Sequence, residues 1–401
     1  MAPSAPPPGD PAPSDGSLPA SALAARAPLS LYLHVPFCAT RCGYCDFNTY
    51  TAAELGSAPG ASQRAYLDAV RSELDLAARV LGPRPVQTVF FGGGTPTLLP
   101  QAELAGLLAA VRAAFPLAAD AEITTEANPE SVDPGYLAAL TEAGFNRLSL
   151  GMQSSVGHVL SVLDRRHTPG RVGQVVGWAR AAGFGSISLD LIYGSPGETA
   201  DDWRTSLRAA LGLEPDHLSA YSLIVEPGTR LAARIKRGEL PGVDDDVHAD
   251  YYLIAEQEIA AAGLEWYEVS NWAHPGHACR HNLAYWRSRD WWGIGPGAHS
   301  HVGGVRWWNL RHPARYSARL AAGESPAEAR EILDAGDRRV ERVLLELRLA
   351  EGLDLAVLTP SERARVPAIL ASGWGNVADN RLRLTLEGRL LADGIVRDLL
   401  D

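Results

Sequence analysis

Apolar runs of strand length alternate along this chain with longer stretches that repeat hydrophobic residues at helical spacing. The strand-like runs are Leu31–Val35, Val86–Phe91, Glu122–Glu126, Arg147–Gly151, Ser186–Tyr193 and His217–Val225. Three helix signals between them are clear. One opens at Ser62 and puts Tyr66, Leu67, Val70, Leu74 and Ala77 on one face. Another opens at Asp133-Pro134, with Asp as cap and Pro at the first helical position. A third runs through Val172–Ala182 and stops at Gly183. Strand–helix repetition of this kind demands parallel strands joined by right-handed crossovers. Six units fall short of a complete eightfold barrel. The expected fold class is therefore α/β, a partial barrel or open doubly wound sheet over residues 29–240.

The rhythm breaks over residues 241–325. Seven of the ten tryptophans lie between Trp266 and Trp308, and five of the eleven histidines between His274 and His301. Such a stretch reads first as a packed aromatic region closing the open side of the barrel. In residues 326–401, Val340–Leu349 and Ser361–Ala371 look helical and Arg381–Leu384 alternates as a strand. Thr385 then caps a last helix to Leu400. That order predicts a small C-terminal helical, winged-helix-like domain. Residues 1–28 are rich in Pro, Ala and Ser without an apolar period, which predicts a disordered arm.

Composition narrows the function. With 46% hydrophobic residues the chain can build a real core, and its net charge of −11 leaves no broad basic surface for nucleic acid. No run approaches the roughly 18 apolar residues of a membrane span, and the start lacks the basic and apolar regions of a secretory signal. Four cysteines make no disulfide framework. A soluble, cytoplasmic protein with no integral membrane segment is expected.

The strongest chemistry follows the first strand, where Cys38, Cys42 and Cys45 stand in a C-x3-C-x2-C loop. Barrel folds place active sites in such loops. Three thiolates can each bind one iron of a cubane cluster and leave the fourth iron open to a small molecule bearing an amine and a carboxylate. Zinc is the rival, but a structural zinc site wants four ligands, usually as two pairs. Unligated core cysteines would pack poorly on a polar loop that also holds Arg41. A second glycine-rich turn, Gly92-Gly93-Gly94-Thr95-Pro96, follows the second strand, where absent Cβ atoms let backbone approach a ligand.

Together these motifs resemble the radical S-adenosylmethionine (SAM) superfamily, whose fold is a partial (β/α)6 barrel. The resemblance implies a [4Fe–4S] cluster on Cys38, Cys42 and Cys45, with SAM on the open iron. It is nearest to the oxygen-independent coproporphyrinogen III oxidases and the related HemW-type haem chaperones, and extends over nearly the whole chain from Leu31. Further matching stretches are Leu31–Cys38, Glu126-Ala127-Asn128-Pro129, Ser149–Ser154 and Asp190–Pro196. It implies SAM contacts from Tyr32, Tyr44, Gly93, Gly94, Thr95, Glu126, Gln153, Arg165 and Asp190. Glu126 and Asp190 suit ribose hydroxyls, and Arg165 a carboxylate. The bland alternatives are helix caps for the two acids and an exposed ion pair for the arginine.

Departures separate the two relatives. The oxidases carry a fourth cysteine where this chain has Phe47, as the chaperones do. The stretch Cys279–Trp286 carries the chaperones' H-N-x-x-Y-W signature. The oxidases also have an ordered N-terminal arm, where this chain has its Pro/Ala tract. The resemblance therefore implies a chaperone that binds haem and passes it to an acceptor protein, with an electron donor serving the cluster. His281, Asn282, Tyr285 and Trp286 are its candidate haem residues. They could equally hydrogen-bond loop carbonyls and pack as a lid, and His274, His277, His299 and Cys279 compete as ligands. Family position also suggests adenine contact from Gly293–Ala298. The alternative function is the oxidase reaction, in which SAM cleavage drives oxidative decarboxylation of coproporphyrinogen propionates to vinyl groups. No catalytic residue is assigned.

Overall fold

The computed structural model describes residues 9–24, 27–56, 60–165, 168 and 170–400. Thirteen strands form its main sheet. They are β1 (Asp10–Pro11), β2 (Leu29–Val35), β3 (Val86–Gly93), β4 (Leu117–Ala127), β5 (Arg147–Gln153), β6 (Ser186–Tyr193), β7 (His217–Ser222), β8 (Glu265–Glu268), β9 (Asn271–Ala273), β10 (Asp290–Ile294), β11 (His299–Val302), β12 (Val305–Asn309) and β13 (Ala327–Ile332). Their order is β1-β13-β12-β11-β10-β2-β3-β4-β5-β6-β7-β9-β8. Strands β2 to β7 run parallel, as the alternation requires, and β10 adds a seventh parallel strand beside β2.

Each parallel strand has an apolar and a polar side. Leu31, Leu33, Val89, Phe91, Leu148, Leu150, Ile187 and Leu189 are buried against the surrounding helices, each worth about 1.5–3 kcal/mol relative to exposure. The helix Gln63–Leu81 is capped by Ser62, whose Oγ accepts from the Ala65 amide, and buries the five residues of its predicted face. Asp133 caps the helix Pro134–Ala143, and Gly183 ends Arg171–Ala182 in a left-handed conformation. On the other side of the sheet the register aligns Ser30 with Thr88, Thr88 with Glu122, Ser149 with Ser188 and Asp190 with Ser219. Fully covered parallel strands are ordinarily apolar on both faces. Here one face lines a polar interior.

The aromatic region does not close the barrel as one unit. Its β8–β9 hairpin extends the β7 edge, while β10, β11 and β12 extend the β2 edge, so both exposed rows of backbone groups are paired. Between them, residues 277–286 cross the base of the interior. The Arg147 guanidinium donates to the His277 carbonyl, Glu122 accepts from the Arg280 and His281 amides, and Asn282 donates to Glu268. Contacts to β4, β5 and β8 from one short segment mean that the sheet curls around it. A buried ion pair, Arg84–Asp290 at 2.7 Å, fixes the start of β10.

Two expected boundaries shift. Residues 9–24 of the expected disordered arm are ordered: β1 pairs with β13, Ala20–Ala24 is helical and Ala22 is buried. Proline-rich chain lacks helical or strand periodicity, but it can still lie along a sheet edge. Residues 1–8, 25 and 26 fall outside the described residues. The C-terminal unit begins near Asp334 rather than at 326, because β13 belongs to the main sheet. It has its own core around Val343, Leu353, Ile369, Leu382 and Ile395. Its sheet has three strands, Leu353–Asp354, Gly375–Ala378 and Arg381–Leu384, rather than one. The predicted helix Ser361–Ala371 is two, Pro360–Arg363 and Val366–Ala371, with Pro367 in the first turn of the second. The last helix also breaks, at Leu391.

Candidate cofactor site at the open end of the barrel

The carboxyl ends of the parallel strands surround a cavity of about 390 Å³. Cys38, Cys42 and Cys45 line it, together with Tyr44, Gly93, Gly94, Thr95, Glu126, Gln153, Arg165 and Asp190. Of the nine residues assigned to SAM by resemblance, only Tyr32 lies elsewhere. Its hydroxyl bonds His34 Nδ1 at 3.0 Å, on the wall of a neighbouring cavity.

The loop that carries the thiols is anchored from several directions. Backbone bonds run from the Gly43 amide to Leu163, from the Leu231 amide to Gly43 and between Cys38 and Tyr50. Glycines of the second motif then clamp it. Gly93 has φ +110°, and a Cβ there would meet the His34 ring at 2.6 Å. A Cβ on Gly94 would lie 2.4 Å from the Phe37 carbonyl. The Gly93 amide donates to Glu126, the Gly94 amide to Val35 and the Thr95 amide to Phe37. These N–H groups therefore join β3 to the cysteine loop, and what the turn offers a ligand is bare Cα surface and carbonyl oxygen.

Charge at the site is poorly compensated. The Arg165 guanidinium reaches Cys42 Sγ at 3.5 Å and the Gly151 carbonyl at 3.0 Å, but its buried Nε has no partner. Arg165 forms no ion pair with a carboxylate among the described residues, so the exposed-pair alternative fails. Burial pushes the Cys38 thiol up, and Cys45, near the other thiols, to about 11. Thiolates here need a cation beside them. Burial also raises Glu126 to about 8, helped by the charge of Asp190, and raises Asp190 despite hydrogen bonds from Ser149 and Ser188. Neither acid caps a helix. Gln153 holds a left-handed backbone at φ +64°, a conformation that costs a non-glycine residue on the order of 1 kcal/mol. Among the described residues no three His, Cys, Asp or Glu side chains are drawn up at metal-bonding spacing. The donor set nonetheless fits a cluster with one open iron: three thiols, an unsatisfied guanidinium and two acids, Asp190 held by hydroxyls and Glu126 by the Gly93 amide.

A second cavity, of about 590 Å³, adjoins the first and shares Asp46, Phe47 and Gly93 with it. Phe47 is 61% exposed. Aromatic side chains of Tyr285, Trp291 and Trp308 line this cavity, with His34, His299 and Arg311. The sequence pattern gave no sign of Arg311. The period-two polar rows also went unread, although they are legible in Glu122-x-Thr124-x-Glu126 and His217-x-Ser219-x-Tyr221.

The H-N-x-x-Y-W stretch lies below, not as a lid over the mouth. Its helix, Arg280–Trp286, puts His281 against Thr88 near the start of β3, roughly 17 Å along that strand from Gly93. His281 Nδ1 is bonded to Thr88 at 2.7 Å and Nε2 to Tyr285 at 2.8 Å, and burial lowers its pKa to about 3. Asn282 donates to Glu268. Tyr285 alone of the four candidate haem residues reaches a cavity wall, and Trp286 reaches neither. Cys279 is buried against Glu122, and His274 bonds the Gly263 carbonyl. Gly297 and Ala298 line the second cavity rather than the cysteine cavity.

Known proteins match this arrangement. The model of the radical SAM superfamily matches residues 32–210. A haem chaperone HemW of Mycobacterium tuberculosis is 52% identical over 96% of this chain and 97% of its own, and that of Escherichia coli is 42% identical over 69% and 70%. The solved coproporphyrinogen III oxidase HemN of Escherichia coli, a radical SAM enzyme, superimposes with a TM-score of 0.81 at 26% identity, over 94% of this chain and 92% of that one. The cofactors that such a scaffold implies are a [4Fe–4S] cluster and SAM. The chain belongs to the radical SAM superfamily and, within it, to the HemW haem-chaperone family.

Proposed function

We propose that this protein is a haem chaperone: it takes up haem and hands it to an acceptor protein, with a SAM-bound [4Fe–4S] cluster governing the exchange. Cys38, Cys42 and Cys45 would hold the cluster. Tyr44, Arg165, Glu126, Asp190 and Gln153, with the Gly93–Thr95 turn, would hold SAM. When bound, the cluster would supply one-electron redox chemistry next to SAM. The chain's own residues would orient the cofactors: Arg165 would pair with the carboxylate of the ligand, while Ser149 and Ser188 fix the Asp190 carboxyl. The observation that carries the chaperone reading is Phe47, exposed on the wall between two cavities at the place where the oxidase has its fourth cysteine. Four free cysteines and the absence, among the described residues, of any helix long and apolar enough to cross a membrane support a cytoplasmic location. The acceptor and the electron donor are separate proteins in this reading.

The oxidase is the second reading, favoured by the likeness to HemN over nearly the whole chain. One anaerobic experiment separates them. Cluster-loaded protein receives coproporphyrinogen, SAM and a strong reductant, and porphyrins are resolved chromatographically. In parallel, haem-loaded protein is mixed with an apo-cytochrome while the Soret band is followed. Transfer of haem without vinyl-bearing product is the expected result. Vinyl product over many turnovers would overturn the chaperone reading.

A further inference from the structure

We propose that haem is carried in the second, 590 Å³ cavity, with His299 as its axial ligand and Arg311 paired with a propionate. The proposal rests on the chaperone reading and assigns its cargo a place. It moves the ligand from the H-N-x-x-Y-W stretch at the base to the wall beside the cysteine loop.

The ranking of histidines follows from hydrogen bonding. An iron-ligating imidazole needs a free nitrogen facing open space. His281 offers none, since Thr88 and Tyr285 occupy both positions inside a buried site. His34, the other imidazole of the cavity, is bonded to the Tyr32 hydroxyl and the Asn48 carbonyl. His299 is exposed within the cavity, and neither of its ring nitrogens has a hydrogen-bond partner among the described residues. Its ring lies 5.9 Å from that of Trp308, tilted by 31°, and its carbonyl accepts the Trp291 indole N–H. The ligand thus stands between two tryptophans.

The rest of the cavity suits a flat apolar molecule with an acidic edge. Its volume falls within the roughly 300–1,000 Å³ of small-molecule sites. Tyr285 and Trp291 meet edge to face at 4.8 Å and form a rigid floor. Arg311 is held through its carbonyl by Asn48 and Tyr50, while its guanidinium makes no ion pair or hydrogen bond among the described residues. A guanidinium fork without a partner is matched to a carboxylate. Asp46, on the wall shared with the cysteine cavity, repels a second propionate there and so orients the acidic edge toward Arg311.

The test uses the full-length protein with its cluster reconstituted, titrated with haem and followed by the Soret band and by electron paramagnetic resonance. Wild type and His281→Ala should show the same histidine-type spectrum. His299→Ala should bind haem at least tenfold more weakly and lose that spectrum, and free imidazole should restore it. Arg311→Ala should weaken haem severalfold yet leave the affinity for haem dimethyl ester unchanged. Equal cluster content in all variants controls for folding. A His299→Ala spectrum and affinity identical to wild type overturns the assignment, as does imidazole rescue of His281→Ala but not of His299→Ala. Wild type that binds no haem overturns the chaperone reading itself.

Discussion

The two ends of the barrel are built to opposite standards. At the base most charged and polar groups have complements, with the Arg84 Nε and the Thr124 hydroxyl as exceptions: Arg84 meets Asp290, Glu122 receives two amides, Arg147 finds a carbonyl and a hydroxyl, and His217 bonds Ser188 and Tyr267. At the open end the Arg165 Nε is unpartnered, two acids share one interior, Gln153 sits in a strained conformation, and Phe47 and Ile224 are exposed. The contrast separates what the fold needs from what the ligand needs. Groups at the base hold strand ends together, and their satisfaction stabilises the sheet. Groups at the mouth are left open to a ligand, which is how barrels divide stability from function.

Substitutions at the two ends should therefore fail differently. Cys42→Ser should abolish the cluster's visible absorbance on reconstitution while leaving the denaturation midpoint of the apoprotein within error. Haem uptake should survive in part, and simultaneous loss of cluster and haem would merge the two sites. Asp290→Ala, at the base, should cost about 3–5 kcal/mol in urea denaturation, since it strands a buried guanidinium. SAM affinity of the folded fraction should hold.

Acidity offers a finer cut. The folded-state pKa of Glu126, about 8, lies above its ordinary value of 4.5. Its bound proton therefore favours the folded apoprotein at low pH, and that contribution fades as pH climbs from 4.5 through 8. Each tenfold change in proton affinity is worth about 1.4 kcal/mol, so the loss reaches a few kcal/mol. Glu126→Gln should flatten this decline, measured as unfolding free energy at about pH 5 and about pH 9 without SAM. An unchanged slope would mean that the carboxyl is ionised in the folded state. The smallest effect belongs to Gln153→Gly, which relieves the left-handed strain. It should gain up to about 1 kcal/mol of stability and lose SAM affinity, measured by calorimetry.

Much of the open end was legible. Thiols crowded into one loop and glycines at a strand end are chemistry that few packing problems require, so Cys38 and Gly93 announced themselves. The base was harder to read. His281 carries a functional residue's letter but lies in a place where both its nitrogens are spent on Thr88 and Tyr285, and no spacing rule distinguishes a satisfied imidazole from a free one. His299 needed three dimensions for the opposite reason: its freedom shows only when every neighbour is placed. The edges were hidden too, because β10 pairs with a strand made far earlier in the chain, and β1 with β13, through backbone bonds that leave no mark on side-chain pattern.

That late pairing bears on how the chain is made. During vectorial synthesis β2 and its parallel neighbours emerge first, while the far edge of β2 waits for Asp290 and the residues after it to leave the ribosome. Until then it presents a seven-residue strand with open N–H and C=O groups, a template for misassociation. Non-local pairing of this kind is also slow. A chain truncated before Asp290 would keep every thiol of the cofactor loop and yet leave that edge bare, so the nascent protein needs shelter longest at the strand that its cofactors need first.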